Sequence, residues 1–282
     1  MLTILFTIYS ILKDSEPSLH FAHGGEADFR GKHNTYFNIF SSTGISLNMK
    51  TKDVVTLVPK PYLLKSSFFT EAHFSLLTQR TNKTIKVSMF ANQSGYKTII
   101  DGKINEDTLG EWKDTQIDSV RILSKKITNL VRANGWEFNI TRNIIEYPIE
   151  GQSTKWRYNM RLTPIMNTEH LKLYGTPNIK SVHGILGQSF DHHKLTYNGK
   201  KTIYNKVFID QQEQAEGAIE GTWKDYIVNS AFDTNFKYSR YESTHNKIRS
   251  IDFLNTSKAI KTIPIASIND DLGLEDYKRV IQ

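Results

Sequence analysis

The sequence predicts an all-β fold: a mainly antiparallel β-sandwich with at most short helices. Apolar and polar residues alternate in nearly every segment, which is the period of a half-buried strand. Aromatic residues make up 11% of the chain and recur within these alternating segments, as is typical of the space between two packed sheets. Helix signals are weak, because glycine interrupts the best run of helix formers.

Most of the predicted strands lie in the first 165 residues, in the following order. Residues 35–42 and 45–50 form two strands around a tight Thr-Gly turn. Residues 84–90 alternate regularly, with their odd-numbered apolar residues on one face. The same alternation predicts strands at residues 136–141 and 156–162, and each of these begins with a tryptophan.

The following part of the chain carries the best helix signal. Residues 210–220 contain good helix formers, but Gly217 and Gly221 limit any helix to one or two turns. Residues 220–223 and 232–238 then return to strand-like aromatic alternation.

Length and composition favour one domain. A chain of 282 residues buries about three quarters of its unfolded surface without crosslinks. Seven prolines and the absence of a Gly/Ser tract leave no obvious linker. We therefore predict a single β-rich domain over residues 20–265, followed by a C-terminal tail over residues 266–282.

Composition and charge exclude several classes of function. The absence of cysteine excludes disulfides, thiolate metal sites and a cysteine nucleophile. The net charge is +7, but the lysines and arginines are scattered, which favours a solvated surface and no nucleic-acid partner. The sequence also predicts no transmembrane segment.

An apolar run from Leu2 to Leu12 begins the chain. It is too short to span a bilayer and matches the apolar core of a signal peptide. Residues 1–19 are therefore predicted to be a signal peptide, which places the protein outside the cell or at the cell surface. A buried first strand is the alternative, because Thr, Ile, Phe and Tyr also favour strands.

Two glycine-bearing segments are the most distinctive motifs. The first landmark is residues 22–31, Ala-His-Gly-Gly-Glu-Ala-Asp-Phe-Arg-Gly. The second landmark is residues 181–190, Ser-Val-His-Gly-Ile-Leu-Gly-Gln-Ser-Phe. Each places a histidine beside a glycine, where the backbone turns or is closely approached. We expect the two landmarks to lie together in space and to frame one domain.

This order of β-hairpins between two landmarks resembles the von Willebrand factor type D domain, and more closely its cysteine-poor relatives in plant root-cap and late-embryogenesis proteins. Their Gly-Asp-Pro-His-Phe opening matches Gly25 to Gly31, and the aromatic strand that follows matches Tyr36-Phe37. Their later Gly-Leu/Val-Leu/Cys-Gly-Gln/Asn element matches residues 184–188. The resemblance covers about residues 20–200. It implies motif or structural roles for His23, Gly24, Gly25, Asp28, Phe29, Arg30, Gly31, His183, Gly184, Gly187 and Gln188.

The chain departs from that family in two respects. Animal type D domains are rich in cysteine, so the absence of cysteine excludes disulfide-linked multimers of that kind. Some relatives cleave themselves at the Asp-Pro bond of the opening motif, and here Glu26-Ala27 occupies that pair. Self-cleavage is therefore not expected.

Histidines and acidic residues near the landmarks are the candidate metal ligands. His23, Asp28 and His33 could ligate zinc, but their spacing fits no standard site, so we expect structural roles, with His23 bonding a turn and His33 exposed. His192 and His193 are adjacent, and adjacent side chains on an extended chain point apart. Calcium needs only oxygen ligands and remains an alternative at Asp191 with Asn198, or at Asp270 with Asp271.

Two further groups of residues offer a catalytic or sugar-binding alternative. Glu213, Glu216 and Glu220 could share one face of a short helix and supply the carboxylates of a glycoside hydrolase, although a solvated face is the commoner role of such a group. The four tryptophans could stack on sugars, but we expect them to fill the core; they are Trp112, Trp136, Trp156 and Trp223.

The sequence thus predicts a secreted or cell-surface, non-catalytic structural or adhesive β-domain with no cofactor. A carbohydrate-active protein, either a lectin or a glycoside hydrolase, is the alternative. Self-association and extracellular polysaccharide are the partners that we consider.

Overall fold

The computed structural model describes residues 18–22, 24–57, 63–105, 112–190, 198–204 and 206–242. Several predictions concern residues outside these ranges. They are the apolar run at Leu2 to Leu12, His23, residues 191–193, the Asp270-Asp271 pair and the C-terminal tail.

Short and long strands dominate the described part of the chain. The strands are β1 Ser18–His20, β2 Glu26–Asp28, β3 Thr35–Ser42, β4 Ile45–Leu57, β5 Leu63–Leu77, β6 Thr84–Phe90, β7 Lys97–Ile100, β8 Lys103–Asn105, β9 Lys113–Ile117, β10 Val120–Ser124, β11 Thr128–Ala133, β12 Trp136–Ile144, β13 Trp156–Pro164, β14 Val182–His183, β15 Phe208–Asp210 and β16 Ile227–Val228. One α-helix, α1 Thr168–Tyr174, and two 3₁₀ turns, Gly187–Phe190 and Trp223–Tyr226, complete the regular structure.

Two sheets form the body of the fold. The large sheet has the order β14-β3-β4-β5-β6-β7-β8, and within it β15 also pairs with β5 and β16 with β3. The second sheet is an antiparallel meander in the order β13-β12-β11-β10-β9. Strands β1 and β2 form a separate two-stranded sheet. Among the pairs in the described ranges, β15 with β5 is the parallel one, so the predicted mainly antiparallel all-β fold is confirmed.

The core lies between the two sheets. The ring of Phe40 on β3 contacts Trp136 at 4.8 Å and Phe138 at 5.1 Å between centroids. Phe74 on β5 also contacts Phe138, at 5.1 Å. These side chains are fully buried, as is Ile140 further along β12. The alternation that predicted β12 therefore marks the residues that join the sheets.

A β-bulge in β3 extends this core. Phe37 pairs with Met49, Phe40 pairs with Leu47, and the register shifts between them. Met49 and Leu47 are two residues apart on one strand and share a face, so Phe37 and Phe40 share a face as well although they are three apart. The bulge therefore places both phenylalanines on the core side.

No helix forms within residues 210–220, where at most one or two turns were predicted, because other segments of the chain take the backbone hydrogen bonds. The amide of Gln211 donates to Lys65, and that of Ala215 donates to Asp28. The carbonyl of Glu213 accepts from Arg30. These tertiary bonds replace the i to i−4 bonds of a helix.

The structure also adds a helix that the sequence analysis did not predict and corrects two predicted strands. The helix α1 is capped by Asn167, whose side chain accepts from the amides of residues 169 and 170. The predicted strand at residues 220–223 instead leads into the 3₁₀ turn Trp223–Tyr226. Residues 232–238 are not a strand but belong to an irregular segment, residues 229–242, which we call the C-terminal strap.

The C-terminal strap covers part of the large sheet on the side away from the core. Asn48 donates to the carbonyls of Ala231 and Asp233, and the Ser75 hydroxyl donates to Phe232. Near the end of the described chain, the amide of Gly44 donates to the carbonyl of Tyr241. Side chains of the sheet therefore satisfy the irregular backbone of the strap.

The tryptophans have different environments. Trp136 is fully buried in the core, as predicted. Trp156 and Trp223 are partly buried, and the guanidinium of Arg142 lies 4.6 Å above the ring of Trp156. The prediction that Trp112 fills the core is wrong. Trp112 is 69% exposed, because it precedes β9 at the edge of the second sheet.

Candidate functional site

His183 of the second landmark is part of a closed hydrogen-bond arrangement. Its Nδ1 accepts from the amide of Gly184 at 2.9 Å, so the proton of the neutral ring lies on Nε2 and faces Glu220 Oε2 at 3.1 Å. The ring also stacks on Tyr238 at 4.5 Å between centroids. Both ring nitrogens are thus used within the fold.

Gln188 links the same residues through its amide group. Its Nε2 donates to the carbonyl of Gly184 and to the Tyr226 hydroxyl, and its Oε1 accepts from the amide of Glu220 at 2.8 Å. The Tyr226 hydroxyl in turn donates to the carbonyl of Glu220 at 2.8 Å. Burial raises the pKa of Tyr226, so this hydroxyl stays protonated.

The two glycines of the second landmark serve different purposes. Gly184 has φ +97°, and a Cβ there would lie 2.6 Å from the carbonyl oxygen of Ile39. Gly187 has no such φ, but a Cβ would lie 3.1 Å from atoms of Phe40 and Val182. Gly184 is therefore required by the backbone, and Gly187 by close packing against the core.

The first landmark forms the turn of the β1-β2 hairpin and then enters the core. The amide of Gly24, which has φ +90°, donates to the carbonyl of Phe21, and the carbonyl of Gly25 accepts from the amide of Phe21. Phe29 is fully buried. Gly31 has φ +69°, and a Cβ there would lie 2.7 Å from the side chain of Thr51.

The charged residues of the first landmark are paired within the fold. Arg30 contacts Asp210 at 2.6 Å and Asp53 at 2.9 Å. Asp28 is buried and accepts from the Ser18 hydroxyl and from the amide of Thr202. Arg30 and Asp28 therefore stabilise contacts between distant parts of the chain.

The two landmarks touch, as expected. The amide of Ala22 donates to the hydroxyl of Ser189 at 3.0 Å, and that hydroxyl donates to the carbonyl of Leu186 at 2.7 Å. The contact joins residues 167 positions apart in the chain. The expectation that the landmarks lie together is confirmed.

The other candidate ligands and carboxylates are not brought together. His33 is exposed, as expected, and its Nδ1 accepts from the amide of Asp53. Asp28 instead accepts from the amide of Thr202, so the two side chains share no hydrogen-bond partner in these contacts. Glu213 and Glu216 each bond to nearby backbone, while Glu220 faces His183. Over the ranges that the structure describes, no three His, Cys, Asp or Glu side chains are grouped as metal ligands. The side-chain oxygen of Asn198, which was a candidate calcium ligand, accepts from the amide of residue 26.

Sequence reasoning missed a row of polar side chains on the large sheet. Asn38, Asn48, His73, Ser88 and Lys97 lie directly opposite one another on β3, β4, β5, β6 and β7. Directly opposite residues share a face of a sheet. We call this side, which the C-terminal strap covers in part, the polar face.

Three residues at the centre of the polar face are connected through one imidazole. His73 Nδ1 lies 2.9 Å from Ser88 Oγ, and His73 Nε2 lies 3.1 Å from Glu71 Oε2. Lys50 donates to the other carboxylate oxygen, Oε1, at 3.2 Å, and the Tyr36 hydroxyl donates to Oε2 at 3.3 Å. The His73 side chain is 4% exposed and that of Glu71 is 14% exposed.

The charges around Glu71 keep it ionised. Burial alone would raise the pKa of Glu71, but the hydrogen bond from His73 and the ammonium of Lys50 outweigh burial and lower it. The ion pair also changes Lys50. Burial of Lys50 alone would lower its pKa, but the attraction of Glu71 outweighs burial and raises it. Glu71 is therefore a carboxylate that only accepts hydrogen bonds.

The alternation of β5 contains the signal that would have found this cluster. The polar residues Glu71, His73 and Ser75 alternate along β5 with the apolar residues Ala72 and Phe74. Such a strand has one apolar and one polar face. The partners of these residues depend on strand register, which the sequence pattern does not supply.

None of the protein-family models, curated proteins or solved structures compared with the chain matches it. The resemblance to type D domains therefore stays a prediction. In the part of the chain with described coordinates, no helix has the length and apolar character needed to cross a membrane.

Proposed function

We propose that the chain is an extracellular structural or adhesive β-domain in which the landmark residues carry no chemistry. The observation that supports this most strongly is the closed network of the second landmark. His183 and Gln188 direct their polar atoms at the fold, and Glu220 and Tyr226 complete the arrangement. Hydrogen bonds of this kind satisfy buried polar groups and stabilise the fold around the landmark.

The extracellular location rests on the apolar run at Leu2 to Leu12, which lies outside the described residues. The hairpin strand β1 begins at Ser18, and Leu19 on it is buried. N-terminal sequencing of protein from its native cell tests the location. Cleavage before β1, and so earlier than the predicted end of the signal peptide at residue 19, supports export, whereas an intact N-terminus on protein inside the cell contradicts it.

A row of exposed apolar side chains supports an adhesive role. Leu57, Leu63 and Phe208 lie directly opposite one another on β4, β5 and β15 and share one face. Leu57 is 52% exposed and Phe208 is 49% exposed. Tyr147, 65% exposed, adjoins them, because its carbonyl accepts from the amide of Leu57. Exposed apolar residues grouped in this way mark contact surfaces.

Charge introduced into this apolar row tests the adhesive role. Phe208→Asp is expected to weaken self-association by at least about tenfold, measured by analytical ultracentrifugation, because a carboxylate is costly to bury at a contact. Ile104→Asp is the matched control, since Ile104 is 69% exposed on β8 and not part of the row. Equal association constants for the two variants and the parent would contradict the use of this face for self-association.

The aromatic ring of Phe208 in this row and that of the adjoining Tyr147 favour a lectin as the second candidate function. Tyr147 and Phe208 are both exposed, and aromatic faces bind the apolar faces of sugars. Retention on extracellular polysaccharide, lost in Tyr147→Ser and in Phe208→Asp without a change in self-association, would favour this candidate. The glycoside hydrolase alternative loses its support from spacing, because Glu213, Glu216 and Glu220 do not share a helix face.

A further inference from the structure

Ser88, His73 and Glu71 have the connectivity of a nucleophile, a base and the residue that orients the base. Ser88 on β6 lies directly opposite His73 on β5, and its Oγ is 2.9 Å from the ring nitrogen Nδ1. Glu71 is two residues before His73 on the same strand and reaches the other ring nitrogen at 3.1 Å. A hydroxyl within hydrogen-bond reach of an oriented base is the usual arrangement of an activated serine.

The chemistry of the three groups fixes the position of the protons. Glu71 is ionised and can only accept, so His73 Nε2 carries the ring proton and donates it. In the neutral ring, His73 Nδ1 then has the lone pair and faces the Ser88 hydroxyl. Lys50 and Tyr36 also donate to the carboxylate of Glu71 and hold it in place. The imidazole therefore presents a base, and not a second donor, to Ser88.

The imidazole is the most buried of the three groups. The side chain of His73 is 4% exposed, whereas Glu71 and Ser88 are both partly buried. Phe232 of the C-terminal strap packs against the ring of His73 at 5.6 Å between centroids. A reactant would thus reach the Ser88 hydroxyl while its base is shielded from bulk water.

Two exposed lysines flank Ser88 on the same face. Lys97 lies directly opposite Ser88 on β7, and Lys86 is two residues before Ser88 on β6. Their ammonium groups lie over the rings of Phe90 and Phe232, at 5.9 and 5.3 Å from the centroids. A negatively charged reactant is favoured at this position.

We propose that Ser88 is the nucleophile of an acyl-transfer site for anionic carboxylic esters, with His73 as general base and Glu71 as a positioning residue. Ser88 Oγ forms a bond to the ester carbonyl carbon as its proton moves to His73 Nδ1. The ester C–O bond breaks and the alcohol leaves with that proton. Water then attacks the acyl-serine in the same way, which releases the acid and restores Ser88. The site uses no landmark residue and goes beyond the structural or adhesive role proposed above.

An activity-based probe tests the nucleophile directly. The full chain is incubated with an alkyl fluorophosphonate and the modified residue is identified by peptide mass spectrometry. We expect modification at Ser88, its loss in Ser88→Ala, and no loss in Ser94→Ala. Ser94 is the matched control, because it is also half-buried but bonds to Arg142 and has no histidine partner. No modification of Ser88, or equal modification of Ser88 and Ser94, overturns the proposal.

The roles of His73 and Glu71 are tested by the rate at which the fluorophosphonate modifies Ser88. His73→Gln is expected to slow modification of Ser88 by at least about 100-fold. Glu71→Gln is expected to slow it by at least about tenfold at neutral pH, although the protein is still folded by circular dichroism. Unchanged rates in both variants overturn these assignments. If His73→Gln does not fold, Ser88→Cys replaces it, and iodoacetamide is expected to alkylate that thiol at least about tenfold faster than the thiol of Ser94→Cys.

The preferred charge of the ester is tested with two chromogenic substrates. Hydrolysis of 4-nitrophenyl succinate, which carries a carboxylate, is expected to exceed that of neutral 4-nitrophenyl acetate at low ionic strength. Lys97→Ala is expected to reduce this preference at least about threefold, because the cation next to Ser88 is removed. Lys113→Ala, an exposed lysine on β9, is the control. An equal preference in Lys97→Ala and the parent, or hydrolysis that survives in Ser88→Ala, overturns the assignment.

Discussion

Alanine at Gly184 should destabilise the domain more than alanine at any open turn glycine. The φ of +97° strains any residue with a Cβ, at a cost of about 1–2 kcal/mol. The added Cβ would also lie 2.6 Å from the carbonyl oxygen of Ile39, so the two backbones must separate. That movement removes two hydrogen bonds, from Ile185 to Asn38 and from Leu186 to Ile39, each contributing about 1 kcal/mol.

The expected total for Gly184→Ala is therefore about 3–4 kcal/mol, or a fall of about 10 °C in Tm for a domain of this size. Gly102→Ala is the matched control, because Gly102 has φ +80° but no atom within 4 Å of its added Cβ. Urea and thermal unfolding of both variants measure the difference. Equal midpoints for the two variants would refute the argument that the second landmark is held by close backbone contact.

Three further predictions concern packing and charge. Gly187→Ala should cost about 1 kcal/mol in urea unfolding, because its Cβ meets two core side chains at 3.1 Å without φ strain; an unchanged midpoint would mean that those side chains move aside. The pKa of Glu71 is lowered from its ordinary value of 4.5, so its charge stabilises the folded state above that pH. The stability difference between the parent and Glu71→Gln should shrink as pH falls below 4.5 through the lowered pKa, and a difference that grows with acid would contradict this. Arg30→Ala should cost about 1–2 kcal/mol, because it removes the nearest cation from the carboxylates of Asp53 and Asp210, and the loss should be smaller in 1 M salt; no salt dependence would argue against an electrostatic origin.

Strands whose residues alternate were predictable from local sequence. The bounds of β3 and β6 agree with the prediction, and β12 and β13 extend it by two or three residues. In these segments, burial follows the alternation, so the sequence pattern and the packing contain the same information.

Segments that depend on distant partners were not predictable in this way. Residues 211–215 have helix-forming side chains, but their backbone bonds to Lys65, Asp28 and Arg30. Propensity contributes only tenths of a kcal/mol per residue, and tertiary hydrogen bonds override it. The same holds for the C-terminal strap, whose aromatic residues alternate although its backbone bonds to sheet side chains.

The candidate sites show the same limit. The two landmarks were recognised from glycine and histidine, but the partner of His183 is Glu220, 37 residues further on. Ser88 and His73 are 15 residues apart and meet only because β5 and β6 pair in one particular register. Sequence identifies the residue types, while the pairing of strands decides which of them meet.

The position of the C-terminal strap in the chain also sets a time order for folding. Its partners Asn48 and Ser75 lie on strands that are synthesised early, and the strap begins about 140 residues after β6, which corresponds to about 7–30 s of translation. Contacts across so long a separation close slowly and late. Until then, the polar face is an open, hydrated surface on a nascent sheet, and part of it is covered only after residues 229–242 have left the ribosome.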